Sequence, residues 1–101
     1  MKVNTFYKKT EIDEALISES EREIRKQIEE FLGGEIEAFD LSISFPDSFT
    51  GEVMQEISKI PYGETKSYGD IAEALDSSAI AVGQACGRNP IPIVVPCHRV
   101  V

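Results

Sequence analysis

The segment Asn89-Pro90-Ile91-Pro92-Ile93-Val94-Val95-Pro96-Cys97-His98-Arg99-Val100-Val101 constrains this chain more than any other. A proline-bounded apolar run delivers a cysteine with a histidine and an arginine beside it. Ile93-Val94-Val95 reads as a short buried strand. Pro96 ends it, because proline cannot donate to a sheet ladder. The thiol is therefore expected on a stiff, buried element. His98, Arg99 and the positive end of a nearby helix are expected to stabilise its thiolate. A free cysteine, with a pKa of about 8.5, is only a few per cent thiolate at neutral pH, so a nucleophile needs such help. In a regular strand Cys97 and His98 point to opposite faces, so contact between them needs a turn just after Pro96 or a bridging water. Taken alone, the pair reads as a buried structural cysteine and a satisfied core histidine; with the surrounding motifs, Cys97 reads as a nucleophile.

The 101 residues suit one small domain, and 42% hydrophobic residues argue against disorder. No apolar run is long enough to cross a bilayer, and Met1-Lys2-Val3 leads into no signal-peptide segment. The expected location is cytoplasmic, with no membrane partner. Cys86 and Cys97 then read as reduced thiols rather than a disulfide framework. One histidine and two cysteines are too few for a structural zinc site, so neither metal nor cofactor is expected.

A net charge of −8 argues at first against a nucleic-acid partner. Its distribution reverses the argument. Residues 1–50 hold 12 of the 18 acids, and from Ser77 onward there are none, only Arg88, His98 and Arg99. The acidic half reads as a solvated face. The other half is nearly neutral with a cationic tip, which permits DNA binding.

Val3 to Tyr7 reads as a short strand. Ser18-Glu19-Ser20-Glu21 is a capping box opening a helix, with Ile24, Ile28, Phe31 and Leu32 on one face and Gly33-Gly34 as its stop. Phe39, Leu41, Ile43 and Phe45 alternate with polar residues, as in a half-buried strand. Pro46-Asp47-Ser48 turns into a helix with the apolar stripe Phe49, Val53 and Ile57. Ile60-Pro61-Tyr62-Gly63 breaks that helix. Ser67 to Leu75 and Ser78 to Cys86 are two further short helices joined at Asp76-Ser77, a helix-turn-helix outline. The face Ala79, Ala81, Gly83, Ala85 is small, which suits tight helix packing or close approach to a ligand.

The blocks Ile60-Pro61-Tyr62-Gly63-Glu64-Thr65, Ser67-Tyr68, Ala81-Val82-Gly83, Asn89-Pro90 and Pro96-Cys97-His98-Arg99-Val100, in that order, resemble the O6-alkylguanine-DNA alkyltransferases, also called methylated-DNA–protein-cysteine methyltransferases. The resemblance runs from about Phe49 to Val101, and weakly back to Ser18. It implies a mixed α/β (α+β) fold: a helix-turn-helix or winged-helix-like DNA-binding domain over 47–101 carrying the Pro-Cys-His-Arg strand. A reduced strand-helix-strand region would occupy 1–46. It also implies repair of double-stranded DNA, in which an O6-alkylguanine is flipped out and its alkyl group passes irreversibly to Cys97, with His98 as relayed base. Thr50, Ser67, Tyr68, Ala79, Ile80, Ala81 and Gly83 would meet DNA, the small helix lying in the minor groove. Tyr68, Cys86, Asn89 and Pro92 would form the alkyl pocket and hinge.

Against the family pattern three departures stand out. Ile80 replaces an arginine that inserts into the base stack, so weaker flipping is expected. The Gly/Tyr/Ser-rich loop and the histidine-orienting glutamate would follow Val101, and most of the N-terminal domain is expected to be missing. An apolar edge left at the C-terminal segment would favour self-association. A non-catalytic sensor of alkylated DNA, or an inert half of a split alkyltransferase, are the competing readings.

Overall fold

Each of the four α-helices among the described residues starts at a serine whose hydroxyl accepts an amide three residues on. Ser20 takes Glu23 N at 3.3 Å, Ser48 takes Gly51 N at 3.2 Å, Ser67 takes Asp70 N at 3.0 Å and Ser78 takes Ala81 N at 3.2 Å. Such caps satisfy amides that the helix itself leaves unpaired. The computed structural model describes residues 1–4 and 9–101. It divides into one unit of Met1–Ser44 with Pro90–Val94, and a second of Phe45–Asn89 with Val95–Val101.

In the first unit, β1 (Lys2–Asn4) pairs antiparallel with β2 (Lys9–Glu11), Val3 opposite Thr10. The far end of the expected Val3–Tyr7 strand lies outside the described residues. Helix α1 (Glu21–Leu32) is capped by Ser20 rather than by the Ser18 box. The Ser18 amide is instead committed to Ser42 O at 2.9 Å, beside an Ile17–Ile43 bridge, and this holds Ser18 extended. Ile24 and Ile28 are fully buried. Gly34, at φ 79°, supplies the left-handed residue that ends α1, with Glu35 N bonded to Glu30 O at 2.8 Å.

The segment Phe39–Phe45 alternates in exposure as its sequence predicts, yet forms only the single bridge at Ile43. Its other polar partners are side chains. Gln27, 7% exposed, donates to Asp40 O at 3.0 Å and accepts from Asp40 N at 2.8 Å, and Glu19 accepts from Ser42 N at 2.7 Å. An extended strip held by side chains needs no neighbouring strand.

The second unit is helical. Helix α2 (Phe49–Ile57) buries Val53, Met54 and Ile57, and α3 (Tyr68–Ala74) and α4 (Ala79–Gly87) pack against it and each other. Helix α3 carries a complete capping box, Asp70 Oδ2 accepting in return from Ser67 N at 3.1 Å. At its other end Asp76, φ 52°, takes the left-handed position, with Asp76 N bonded to Glu73 O and Ser77 N to Ala72 O. This closure sharpens the expected turn into a defined helix-turn-helix.

The predicted Ile93–Val95 strand is not formed. Ile93 and Val94 make a turn, with Ile93 at φ 76°, a strained setting for a β-branched residue. Pro90, Pro92 and Pro96 remove three amide donors within seven positions, too many for a ladder. Cys97–Arg99 is a single 3-10 turn, not the end of a strand. Its exit is secured by a parallel bridge between Lys66 and Val100, through Lys66 N to Arg99 O at 2.9 Å and Val101 N to Lys66 O at 2.8 Å.

Gly51 is required by contact. A Cβ there would stand 1.8 Å from Pro46 O, whereas one at Gly87 would meet nothing within 4 Å. Gly51→Ala is expected to destabilise by about 3 kcal/mol through overpacking. Gly87→Ala is expected to be neutral or to stabilise by up to about 1 kcal/mol. Urea midpoints at unchanged slope measure both.

Candidate active site

The site is built where α4 ends and the cysteine turn begins, both in the second unit. Helix α4 stops at Gly87, and Asn89 follows with its amide donating to Cys86 O at 3.2 Å. Its side-chain Nδ2 donates to Val95 O at 3.1 Å and to Cys97 Sγ at 3.2 Å. One amide group therefore holds both the backbone entering the turn and the sulfur itself. The turn is closed internally by Arg99 N to Pro96 O at 2.9 Å and Val100 N to Cys97 O at 3.1 Å. Pro96, itself buried, fixes the approach.

The electrostatics differ from the sequence expectation. The Cys97 thiol is pushed up to about 12 by burial first and by the neighbouring Cys86 thiol second, with the Asn89 hydrogen bond opposing them. Neither His98 nor Arg99 is among the groups that shift it. The Arg99 guanidinium donates to Ile60 O at 2.9 Å and lies over the Tyr62 ring, 5.6 Å from its centroid. That fork is committed to the loop after α2, away from the sulfur. His98 is exposed, and partial burial followed by the Arg99 charge lowers its pKa. Its ring is therefore neutral at pH 7 and able to accept a proton, while Cys97 rests as a thiol.

The remaining predicted residues spread over this unit, except Pro92, which belongs to the Pro90–Val94 segment of the first. Thr50, in the first turn of α2, accepts from Arg88 Nε at 3.4 Å, bringing a cation to that helix start. Ser67 is occupied as the cap of α3. Tyr68 is half-buried, 3.9 Å from where a Cβ on Gly83 would stand. Ala79 and Ile80 are exposed, Ile80 at 77%. Ala79, Ala81, Gly83 and Ala85 do not form one face, because alternate residues diverge on a helix, and Ala85 is fully buried. The outward face of α4 is Ile80, Gln84 and Arg88. Sequence reasoning missed the Cys86–Cys97 and Thr50–Arg88 pairings, for which spacing along the chain carries no signal. Among the described residues no cluster of three or more His, Cys, Asp or Glu side chains could hold a metal ion, and no helix is long and apolar enough to cross a membrane.

Comparison with known proteins gives the family. Residues 48–101 match the family described as 6-O-methylguanine DNA methyltransferase, DNA binding domain. The chain is 46% identical over 87 residues to the methylated-DNA–protein-cysteine methyltransferase of Archaeoglobus fulgidus, covering 83% of this chain and 58% of that protein. It is 46% identical over 82 residues to the constitutive enzyme of that name from Bacillus subtilis, covering 78% and 50%. Mycobacterium tuberculosis OGT in complex with DNA superposes with a TM-score of 0.73 at 41% identity, covering 79% and 52%. The O6-methylguanine-DNA methyltransferase of Pyrococcus kodakaraensis does so at 0.61 and 35%, covering 78% and 50%. The chain thus spans little more than half the length of these relatives. With the helical hairpin, three of the four capped helices and the cysteine turn inside the matched segment, the chain belongs to the 6-O-methylguanine DNA methyltransferase family through its DNA-binding domain.

Proposed function

We propose that the chain repairs double-stranded DNA by transferring the alkyl group of O6-alkylguanine, typically methyl, irreversibly to Cys97, once per molecule. The observation that carries this reading is the Cys97 sulfur held by Asn89 Nδ2 at 3.2 Å on a turn tied down at both ends. The relatives' shared name supports it. The O6 atom cannot be attacked within a stacked duplex, so the nucleotide is flipped out, at a cost of a few kcal/mol. Cys97 gives up its proton, with neutral His98 as relayed base. The S–C bond forms as the C–O6 bond breaks, and guanine recovers a proton. The thioether is a poor leaving group, so the protein is consumed.

Ile80, Ala79, Ala81 and Gly83 on α4, with Ser67, Tyr68 and Thr50, form the proposed DNA surface. Gly83 and Gly87 support this, since internal packing does not demand small residues there. The Thr50–Arg88 pair offers a hydroxyl and a cation for a phosphate. Tyr68, Cys86 and Asn89, all in the second unit, make the proposed pocket and hinge. Residues 47–101 act as the DNA-binding and active-site domain and 1–46 as a reduced N-terminal region, supported by the match over 48–101. A cytoplasmic, DNA-associated location suits the two free thiols.

Incubation with an O6-methylguanine duplex is expected to add one methyl group to the intact mass, mapped to Cys97. Cys97→Ala is expected to bind the duplex and remain unmodified; alkyl removal by that variant would exclude Cys97 as the nucleophile.

Because the thiol is raised to about 12, its thiolate fraction grows with pH throughout the range where an ordinary cysteine is already ionised. Carbamidomethylation of Cys97 by iodoacetamide should therefore climb about tenfold per pH unit, without the levelling near about pH 9 of a free thiol. Peptide mapping against pH reads this directly, and a plateau near neutrality would show an activated resting thiolate.

Ile80→Arg adds a cation to the outward face of α4. It is expected to tighten binding of alkylated duplex and to steepen the log–log salt dependence by about 0.9 if one more phosphate is neutralised. Fluorescence anisotropy at several salt concentrations measures both, and no change in either would keep α4 off the DNA.

A further inference from the structure

We propose that Cys86 and Cys97 are a built-in dithiol that closes to an intrachain disulfide under oxidation, reversibly masking the Cys97 sulfur. The chain has only these two cysteines, and both are free and half-buried. They are eleven positions apart, yet Asn89 gathers them: its amide binds Cys86 O and its side chain binds Cys97 Sγ, each at 3.2 Å. The Cys86 thiol is near enough to Cys97 to be among the groups that raise its pKa. Cys86 has no part in alkyl transfer beyond lining the proposed pocket.

Closure asks for little rearrangement. An S–S bond is about 2 Å long, so the two sulfurs must approach to bonding distance. Both elements can give. Cys86 is in the last turn of α4, followed by Gly87 with open space around its Cα, and Cys97 sits on a single 3-10 turn rather than in a ladder.

The oxidant is a small disulfide of the glutathione class. One protein thiol loses its proton and attacks a sulfur of that disulfide, giving a mixed disulfide and one small thiolate, which takes up the proton. The second protein thiol loses its proton and attacks the protein-side sulfur, releasing the second small thiol. The two cysteines lose two electrons and two protons in all, and the small disulfide gains them. Burial makes Cys97 a slow attacker, so Cys86 either opens the sequence or resolves an adduct on Cys97. The end product is the same.

The disulfide stands independently of the repair reading, and only its masking effect rests on that reading. The test is a redox titration of the folded protein with glutathione disulfide and glutathione, quenched with N-ethylmaleimide. Non-reducing intact mass is expected to fall by two hydrogens, with loss of both maleimide adducts in a single chain and a Cys86–Cys97 linked peptide. Cys86→Ser and Cys86→Ala are expected to stop at one glutathione on Cys97. Two persisting maleimide adducts, a wild-type protein arrested at the glutathione adduct, or chains linked to each other would overturn the proposal. The oxidised protein is expected to take no methyl from an O6-methylguanine duplex until dithiothreitol is added; equal transfer before and after reduction would overturn the masking. Failure of the repair reading has a separate signature, a reduced protein that also takes none, and it leaves the mass result unchanged.

Discussion

The primary amide of Asn89 is the interaction on which the site depends. It donates to a carbonyl at the entrance to the cysteine turn and to the sulfur within it, while the Asn89 backbone closes the end of α4. Three prolines have stripped the neighbouring backbone of donors, which leaves little for a ladder to use. A side chain does the work that strand pairing does elsewhere. The proline directly after Asn89 further narrows its own backbone choices. The end of α4 and the cysteine turn are in this way one mechanical piece.

Holding a thiol this way has an electrostatic consequence. Burial and a second thiol favour the neutral form, and one hydrogen bond opposes them. The adjacent cations do not help, because Arg99 is spent on Ile60 O and the Tyr62 ring. The resting protein is thus protected from stray electrophiles. Under the proposed function, reactivity comes from what docking supplies: an aligned alkyl carbon and a neutral imidazole to receive the proton. If Cys97 is the single-use acceptor proposed above, an unreactive resting state preserves its one turnover.

The helix starts were legible in the sequence because capping is a local bond between a serine and an amide three residues on. The one misplacement shows the limit. Ser18 and Ser20 are each followed three residues later by glutamate, and only the Ser18–Ser42 pairing decides between them. The alternation over Phe39–Phe45 was legible too, but whether it meets a strand or a buried glutamine was not. Adjacency misled at the site, since His98 and Arg99 stand next to Cys97 in sequence and a 3-10 turn sends the guanidinium elsewhere. The nearness of Cys86 depended on where the chain reverses after α4, which only the folded backbone reveals.

The bridge between Lys66 and Val100 has a consequence for the order in which the domain matures. Tyr68 N, one of the first amides of α3, is bonded to Val101 O at 3.1 Å, and the two strips beside it are tied by Lys66 N and Val101 N. The first turn of α3 thus borrows a partner from more than thirty residues downstream. Closing so long a loop is slow relative to forming local helix turns. The hairpin of α3 and α4 can form early from its own caps, but its leading edge stays loose until the cysteine turn arrives. Completion of the first turn of α3 and placement of the cysteine turn are then a single late event, so a chain caught before it holds neither.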